Sequence, residues 1–270
     1  PVEIVTGKNG APVKITVDLP GEKMTVQVWK AQVGRTALYL LDTNIPENPP
    51  EQRAVTARLY GGDREMRIRQ EIVLGIGGVR ALAAMGLNPT VYHMNEGHSA
   101  FLSLERIRAL MARDHLNFAE AREIVWASNI FTTHTPVPAG NEKFEFDLVR
   151  KYFTPFHEQI GLSWGDFAAL GQEIPRQSAQ FNMTVLAIHM AAFCNGVAKL
   201  HGVVSRKMWQ PLWPTLPEME APITSVTNGV HTRSWLSHEL WDLLMKHLGR
   251  DFLVNPVDAQ AWDGVDKIPD

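Results

Sequence analysis

The feature that most constrains the fold is the segment from Thr90 to Val137, which switches between strand-like and helix-like patterns. The runs "TVYHM" and "NIFTTHTPV" are apolar stretches typical of strands, and two helices are predicted between them. Asn117 with Glu120 three positions later has the pattern of a capping box at the start of the second helix. The order strand, helix, helix, strand predicts a parallel sheet flanked by helices, the α/β class.

Three predicted strands are followed directly by polar residues. Asn95, Glu96 and His98 follow the first strand, His134 follows the second, and Asn228 follows the later apolar run "ITSV". Ligands of α/β sheets bind outside the carboxyl ends of the strands, so these residues would meet at one edge if the strands are neighbours. Amide, hydroxyl and imidazole groups suit a neutral hydroxylated ligand. The pattern therefore predicts a sugar site.

The part before this unit has two different periodicities. Residues 13–41 contain three runs rich in Val, Thr and aromatic residues, separated by short turns, which predicts an antiparallel β section. The Pro- and Gly-rich stretch "IPENPPEQRAVTARLYGG" is predicted to be a surface loop with a functional role. From Asp63 to Met85 the apolar spacing is helical. "GIGG" at Gly75 to Gly78 falls inside this helix and follows no strand, so it indicates close helix packing rather than a phosphate loop.

Composition excludes several classes of partner. The net charge of −3 leaves no basic excess, which argues against nucleic acid or a membrane surface. No run of about 18 apolar residues predicts a membrane span. The single cysteine, Cys194, allows no internal disulfide and fits a cytoplasmic protein. His93 and His98 are the only histidines near metal-ligand spacing, and we expect no metal site. His93, inside an apolar strand, is predicted to be a hydrogen-bonded structural residue.

Five blocks of the chain resemble successive blocks of the α-glucan (glycogen/maltodextrin) phosphorylases, in their shorter bacterial and archaeal branch. These blocks are "LYGGDREMRIRQEIVLGIGGVRAL", "YHMNEGHSAF", "FTTHTPVPAG", "NGVAKLHGVVSRKMW" and "TNGVHTRSW". The resemblance implies a GT-B glycosyltransferase with two Rossmann-like halves. It also implies that residues 1–270 are an internal fragment of the N-terminal, sugar-side domain. The family's pyridoxal phosphate (PLP) lysine block is not found, so we expect the C-terminal PLP domain to lie outside this chain.

The resemblance also implies a reaction and residue roles. The full-length protein would convert α-1,4-glucan and inorganic phosphate to glucose 1-phosphate with retention, through the phosphate of PLP, and would be a homodimer. His134 would contact the sugar or orient a group that does, and would not be the general acid. Asn95, Glu96 and His98 would form the cleft wall, with Glu96 or His98 able to touch the ligand. The family's blocks add further positions. The additional candidates are Asn195 and Asn228 for substrate and Tyr60, Gly61, Gly62 and Asp63 for a mobile gate.

Departures from the family pattern leave alternatives open. Ala192 stands where the muscle-type branch has a histidine associated with the sugar's 6-hydroxyl, and Asn141 and Glu142 stand where the shorter branch often has His-Asp. We expect the fragment alone to be inactive. The alternative is a stand-alone sugar-binding or scaffold module that lost its catalytic half. A nucleotide-sugar synthase of the same architecture is disfavoured, because it would need none of the five blocks.

Overall fold

The computed structural model describes residues 2–58, 61–137, 140–174 and 178–269. The chain divides into two compact units, Pro1–Val226 and Thr227–Asp270. The first unit contains an antiparallel sheet, a parallel sheet and the helices that cover them. The second unit contains only helices among its described residues, α10 (Thr232–Trp235), α11 (His238–Leu248) and α12 (Asp251–Val254). No helix in the described part of the chain is both long enough and apolar enough to cross a bilayer.

The predicted antiparallel section is confirmed, and a short first strand extends it. Its strands are β1 (Val2–Ile4), β2 (Lys14–Leu19), β3 (Glu22–Val33) and β4 (Thr36–Asp42). The long strand β3 pairs with β1 and β2 along one edge and with β4 along the other. Every second residue of β2 is buried, as expected for a strand with one face on the core. The apolar face of this sheet packs on the following helical segment.

That helical segment runs from Asp63 to Met85, as predicted, but in three parts. They are α2 (Arg64–Ile72), a π-helical turn (Val73–Gly77) and α3 (Gly78–Ala84). A Cβ on Gly75 would lie 2.8 Å from the backbone nitrogen of Leu102, and a Cβ on Gly77 would lie 3.4 Å from Val17. The two glycines therefore allow close packing on opposite neighbours, which agrees with the packing interpretation of "GIGG".

The stretch from Ile45 to Gly62 was predicted to be a surface loop, and this is wrong for its central part. It contains the one-turn helix α1 (Pro50–Arg53), and Asn48 and Val55 are buried. The amide of Asn48 donates to the carbonyls of Thr25 and Thr43 at 2.7 and 2.8 Å, and its Oδ1 accepts from the Thr25 nitrogen at 2.9 Å. These hydrogen bonds of the Asn48 side chain hold the stretch against β3 without forming a further strand.

The parallel sheet has the order β10, β9, β6, β5, and every neighbouring pair is parallel. Helices lie between consecutive strands, which confirms the predicted α/β unit. In chain order the elements are β5 (Tyr92–Asn95), α4 (Phe101–Asp114), α5 (Phe118–Ala127), β6 (Asn129–Thr132), β7 (Lys143–Glu145), α6 (Phe146–Gln159), α7 (Trp164–Ala169), β8 (Gln180–Asn182), α8 (Met183–His189), β9 (Phe193–Gly196), α9 (Lys199–Trp209) and β10 (Ile223–Ser225). The predicted capping box of Asn117 and Glu120 starts α5.

The register of this sheet places like residues side by side. Met94, Phe131, Cys194 and Ile223 pair across the four strands, and all four are buried. This row faces the covering helices and forms part of the main core. The next row toward the carboxyl ends is polar, so the sheet changes from core to candidate site within one residue.

Candidate functional site

The polar row at the carboxyl edge of the parallel sheet consists of Asn95, Thr132 and Asn195. They are register partners on β5, β6 and β9, so their side chains leave the same face of the sheet. Thr132 Oγ1 donates to Asn195 Oδ1 at 2.9 Å and lies 2.7 Å from His93 Nε2. Because the one hydroxyl proton goes to Asn195, His93 is the donor in the second contact. His93 is hydrogen-bonded, as predicted, although it is exposed.

Glu96 joins the loops that follow β5 and β6. Its Oε1 accepts from the backbone nitrogens of His134 and Thr135, the latter at 2.8 Å, and from Thr133 Oγ1 at 3.3 Å. Glu96 holds a backbone φ of 68° with ψ of 172°, a region that costs a residue other than glycine about 1–3 kcal/mol. The hydrogen bonds of the carboxylate offset this strain.

His134 lies near the start of the loop that follows β6, where its backbone nitrogen donates to Glu96. The sequence predicts that its strand continues to Val137, but β6 ends at Thr132. The nitrogen of Thr133 still bonds to the Asn195 carbonyl at 3.0 Å, whereas the next two amides turn toward Glu96. The chain therefore leaves the sheet at this point. The imidazole of His134 is exposed at the edge, where a ligand can reach it.

A second polar cluster, the Arg67 cluster, consists of Arg67, Gln70, Glu71, His98 and Glu142. Nη2 of Arg67 lies 3.2 Å from Glu71 Oε1, 3.0 Å from Glu142 Oε2 and 3.4 Å from His98 Nδ1. Its Nη1 donates to Gln70 Oε1 at 2.7 Å. The cluster therefore joins α2 to the turn after β5 and to the loop after β6.

Burial sets the protonation of this cluster. Glu71 is 1% exposed, and desolvation of the charged form raises its carboxyl pKa to about 7. The hydrogen bond to Glu71 raises the pKa of His98. Glu71 Oε1 and His98 Nδ1 are 3.3 Å apart, and one proton between them satisfies both groups near neutral pH. The second oxygen of Glu71, Oε2, is buried and has no hydrogen-bond partner within the described residues, which adds to the cost of ionising this carboxyl.

Glu71, His98 and Glu142 are the described residues whose spacing would allow a metal ion to bind. Oε1 of Glu71, Oε2 of Glu142 and Nδ1 of His98 surround Nη2 of Arg67. The guanidinium is thus the cation of this cluster, and it occupies the position that a metal would need. The same guanidinium hydrogen-bonds to both carboxyl groups, and the raised pKa of Glu71 limits the negative charge that this single positive charge must balance.

The predicted gate residues lie immediately before α2. Asp63 is the N-cap of this helix and accepts from the Met66 nitrogen at 2.8 Å. Gly62 has a φ of 87°, and a Cβ there would lie 2.5 Å from Cβ of Met66, so this position requires glycine. Gly61 is half-buried. Tyr60 falls outside the described residues, and the gate remains a prediction.

The structure brings together four of the predicted site residues. Asn95, Glu96, His134 and Asn195 meet at the carboxyl edge of the sheet, while His98 is turned into the Arg67 cluster. Asn228 is exposed and belongs to the second unit, Thr227–Asp270. Sequence reasoning missed Arg67 and Glu71. Their only local signal was an oppositely charged pair four residues apart, in a helix that carries several other charged residues.

These features define an α/β protein with a candidate site of hydrogen-bonding side chains at the carboxyl edge of a parallel sheet. The carbohydrate phosphorylase family matches residues 84–263, and the chain belongs to this family. It is 42% identical, over its whole length, to maltodextrin phosphorylase of Thermococcus litoralis and covers 32% of that protein. It is 44% identical to glycogen phosphorylase of Mycobacterium tuberculosis, with 98% of the chain and 32% of that protein covered. Glycogen phosphorylase of Aquifex aeolicus is 36% identical, with 100% and 38% covered. The chain thus spans about a third of the length of these relatives.

Proposed function

We propose that the full-length protein phosphorolyses α-1,4-glucan to glucose 1-phosphate with retention, and that residues 1–270 supply part of its sugar-side domain in a GT-B fold. The observation that carries this proposal is the identity of 42–44% to a maltodextrin and a glycogen phosphorylase across nearly the whole chain. A cytoplasmic homodimer is proposed by the same analogy. The fragment alone is expected to be inactive.

The polar row and the loop after β6 are proposed to hold the sugar. Asn95 and Asn195 present uncharged amide donors and acceptors, which match sugar hydroxyls without the cost of burying a charge, and His134 adds imidazole nitrogens at the same edge. Glu96 is proposed to position His134 through Oε1, which accepts three hydrogen bonds from the loop after β6. Holding the ring in one orientation and excluding water favours phosphate over water as the attacking group.

The arrangement of Glu71 and Glu142 gives further support for phosphorolysis over hydrolysis. Retaining glycoside hydrolases use two carboxyl groups about 5 Å apart that flank the scissile bond. Glu71 and Glu142 are close to each other, but both are bound to Arg67, and Glu71 is almost completely buried. A pair that is bound to one guanidinium and buried in this way is unsuited to attack at a sugar carbon.

We propose that PLP, the cofactor implied by the family, is bound by chain outside these residues. A Schiff-base lysine needs a desolvated pocket, whereas none of the ten lysines, all of which lie in the described part of the chain, is buried. Five of them form ion pairs with surface carboxylates. The lysines here do not fit the cofactor, and the roles above concern only the sugar. The absorbance of bound PLP in the full-length protein tests this assignment.

Incubation of the full-length protein with maltodextrin and inorganic phosphate tests the reaction. Glucose 1-phosphate should form and should require phosphate. Asn195→Ala should lower its rate of formation, whereas Asn88→Ala, which changes an exposed asparagine, should not. Release of free sugar without phosphate would show a hydrolase. Maltodextrin binding without any product would favour the stand-alone sugar-binding module.

A further inference from the structure

Arg67 contacts both loops that follow β5 and β6. Its Nε and Nη2 donate to Glu142 Oε2 at 3.1 and 3.0 Å, and Nη2 lies 3.4 Å from His98 Nδ1. The Arg67 side chain is 11% exposed and that of Glu142 13%. An ion pair this far removed from solvent is costly to break, because one charge would be left buried without its partner. Arg67 therefore fixes the separation of the two loops.

The same side chain also contacts the segment before α2. Nη1 of Arg67 donates to Gln70 Oε1 at 2.7 Å, and Gln70 Nε2 donates to the carbonyls of Val55 and Arg58 at 3.0 and 3.1 Å. A continuous set of hydrogen bonds thus runs from residues 55–58, just before the predicted gate, through Arg67 to Glu142 after β6, and through Arg67 and Glu71 to His98 after β5.

The strand-end loops carry the proposed sugar contacts a few residues away. His98 is two residues after Glu96, whose carboxylate holds the amides of His134 and Thr135. Glu142 closes the other end of the loop that contains His134, and its carbonyl accepts from the Met183 nitrogen at 3.0 Å. A shift of Glu142 or His98 would therefore move the groups that face the ligand.

We propose that Arg67 is a positioning residue of the phosphorolysis site, fixing the loops after β5 and β6 relative to the segment that precedes α2. It acts through Glu142, His98 and Gln70. The proposal rests on the proposed function. An arginine is needed because its planar fork supplies several donors in fixed directions, whereas a lysine offers a single point charge.

The test uses the full-length protein with Arg67→Gln, Arg67→Lys and the control Arg69→Gln. Arg69 lies on the same helix and is also partly buried, but it bonds to Glu65 and Tyr152. Arg67→Gln should lower kcat for glucose 1-phosphate release on the order of 10- to 100-fold, the effect of a small misplacement of reacting groups. Amide hydrogen exchange in residues 133–137 and 140–142 should become at least about tenfold faster. Arg69→Gln should change neither.

A pH profile separates this role from a general loss of stability. Glu71 faces Arg67 on its own helix, His98 from the turn after β5 and Glu142 from the loop after β6. The charge of Arg67 lowers the pKa of both Glu71 and His98. In Arg67→Gln this charge is lost, so the pKa of Glu71 and of His98 should rise. The part of the pH profile of kcat that follows their titration should therefore move to higher pH. Arg67→Lys should return that part of the profile toward the wild-type position while loop exchange stays fast.

Wild-type exchange rates in Arg67→Gln, or equal effects of Arg67→Gln and Arg69→Gln, would overturn the proposal. If Arg67→Gln fails to fold, Glu142→Gln removes the negative charge that Arg67 binds on the other loop and should give the same faster exchange in residues 133–137. If the wild-type protein releases no glucose 1-phosphate, the proposed function fails. The exchange measurements then still decide whether Arg67 fixes the loops.

Discussion

Replacing Glu96 by glutamine should release the loop that carries His134. The substitution keeps the size of the side chain and the oxygen that accepts from the amides of His134 and Thr135, but it removes the charge. Hydrogen bonds to a charged acceptor contribute about 1.5–3 kcal/mol each and neutral ones about 0.5–1.5 kcal/mol. For two amides in a half-exposed site, the local opening free energy should fall by about 2 kcal/mol, or roughly 30-fold in exchange rate.

Amide hydrogen exchange of the full-length protein measures this directly. The peptide that contains residues 133–135 should exchange roughly 30-fold faster in Glu96→Gln, while peptides from the core strand β3 should be unchanged. Glu123→Gln, which removes the same charge from an exposed position on α5, is the matched control and should have no effect. Exchange at His134 and Thr135 equal to that of the wild type would refute the role assigned to the Glu96 carboxylate.

Three further predictions use thermal unfolding and turnover. Gly75→Ala should destabilise the protein by about 1–3 kcal/mol, because its Cβ would meet the backbone of the neighbouring helix. Gly78 has open space around it, so Gly78→Ala should stabilise the protein by about 0.5–1 kcal/mol. Equal effects of the two substitutions would contradict the packing explanation. Since burial raises the folded-state pKa of Glu71 from 4.5 to about 7, the folded state binds this proton more tightly, and stability should fall by up to about 3 kcal/mol as pH rises from 5 to 8. The raised pKa of His98 acts in the same direction, and an unchanged pH dependence of the melting temperature in Glu71→Gln would refute the assignment. His134→Ala should lower glucose 1-phosphate turnover without loss of PLP absorbance, and unchanged kinetics would remove His134 from the site.

Local sequence patterns predicted the secondary structure well where the pattern is periodic. The three-strand section, the long helix after Asp63 and the capping box at Asn117 all follow from interactions between residues close in sequence. The end of β6 could not be predicted in this way. Thr133 to Val137 continue an extended-looking pattern, and the strand stops because Glu96, almost 40 residues earlier, accepts the next amides.

Only part of the candidate site could be predicted, because some of its contacts join residues that are far apart in the sequence. Asn95 and His134 could be found because each ends or follows a predicted apolar strand, and parallel pairing brings such positions together. Asn195 was indicated only by the resemblance to the family's blocks. The Arg67 cluster could not be predicted from the sequence, because Arg67 and Glu142 are 75 residues apart and the pattern around one residue gives no sign of contact with the other. Asn228 looked equivalent to the other strand-end residues, but it lies beyond the boundary between the two compact units.

The most direct test of the proposed sugar site is amide exchange of the full-length protein with and without glucose 1-phosphate. If the carboxyl edge of the parallel sheet holds the sugar, peptides covering residues 130–136 and 193–197 should exchange more slowly when the ligand is bound. Peptides from β2 and β3 should not change. Protection confined to other parts of the protein, in a preparation that releases glucose 1-phosphate, would contradict the assignment of Asn95, His134 and Asn195 to the sugar site.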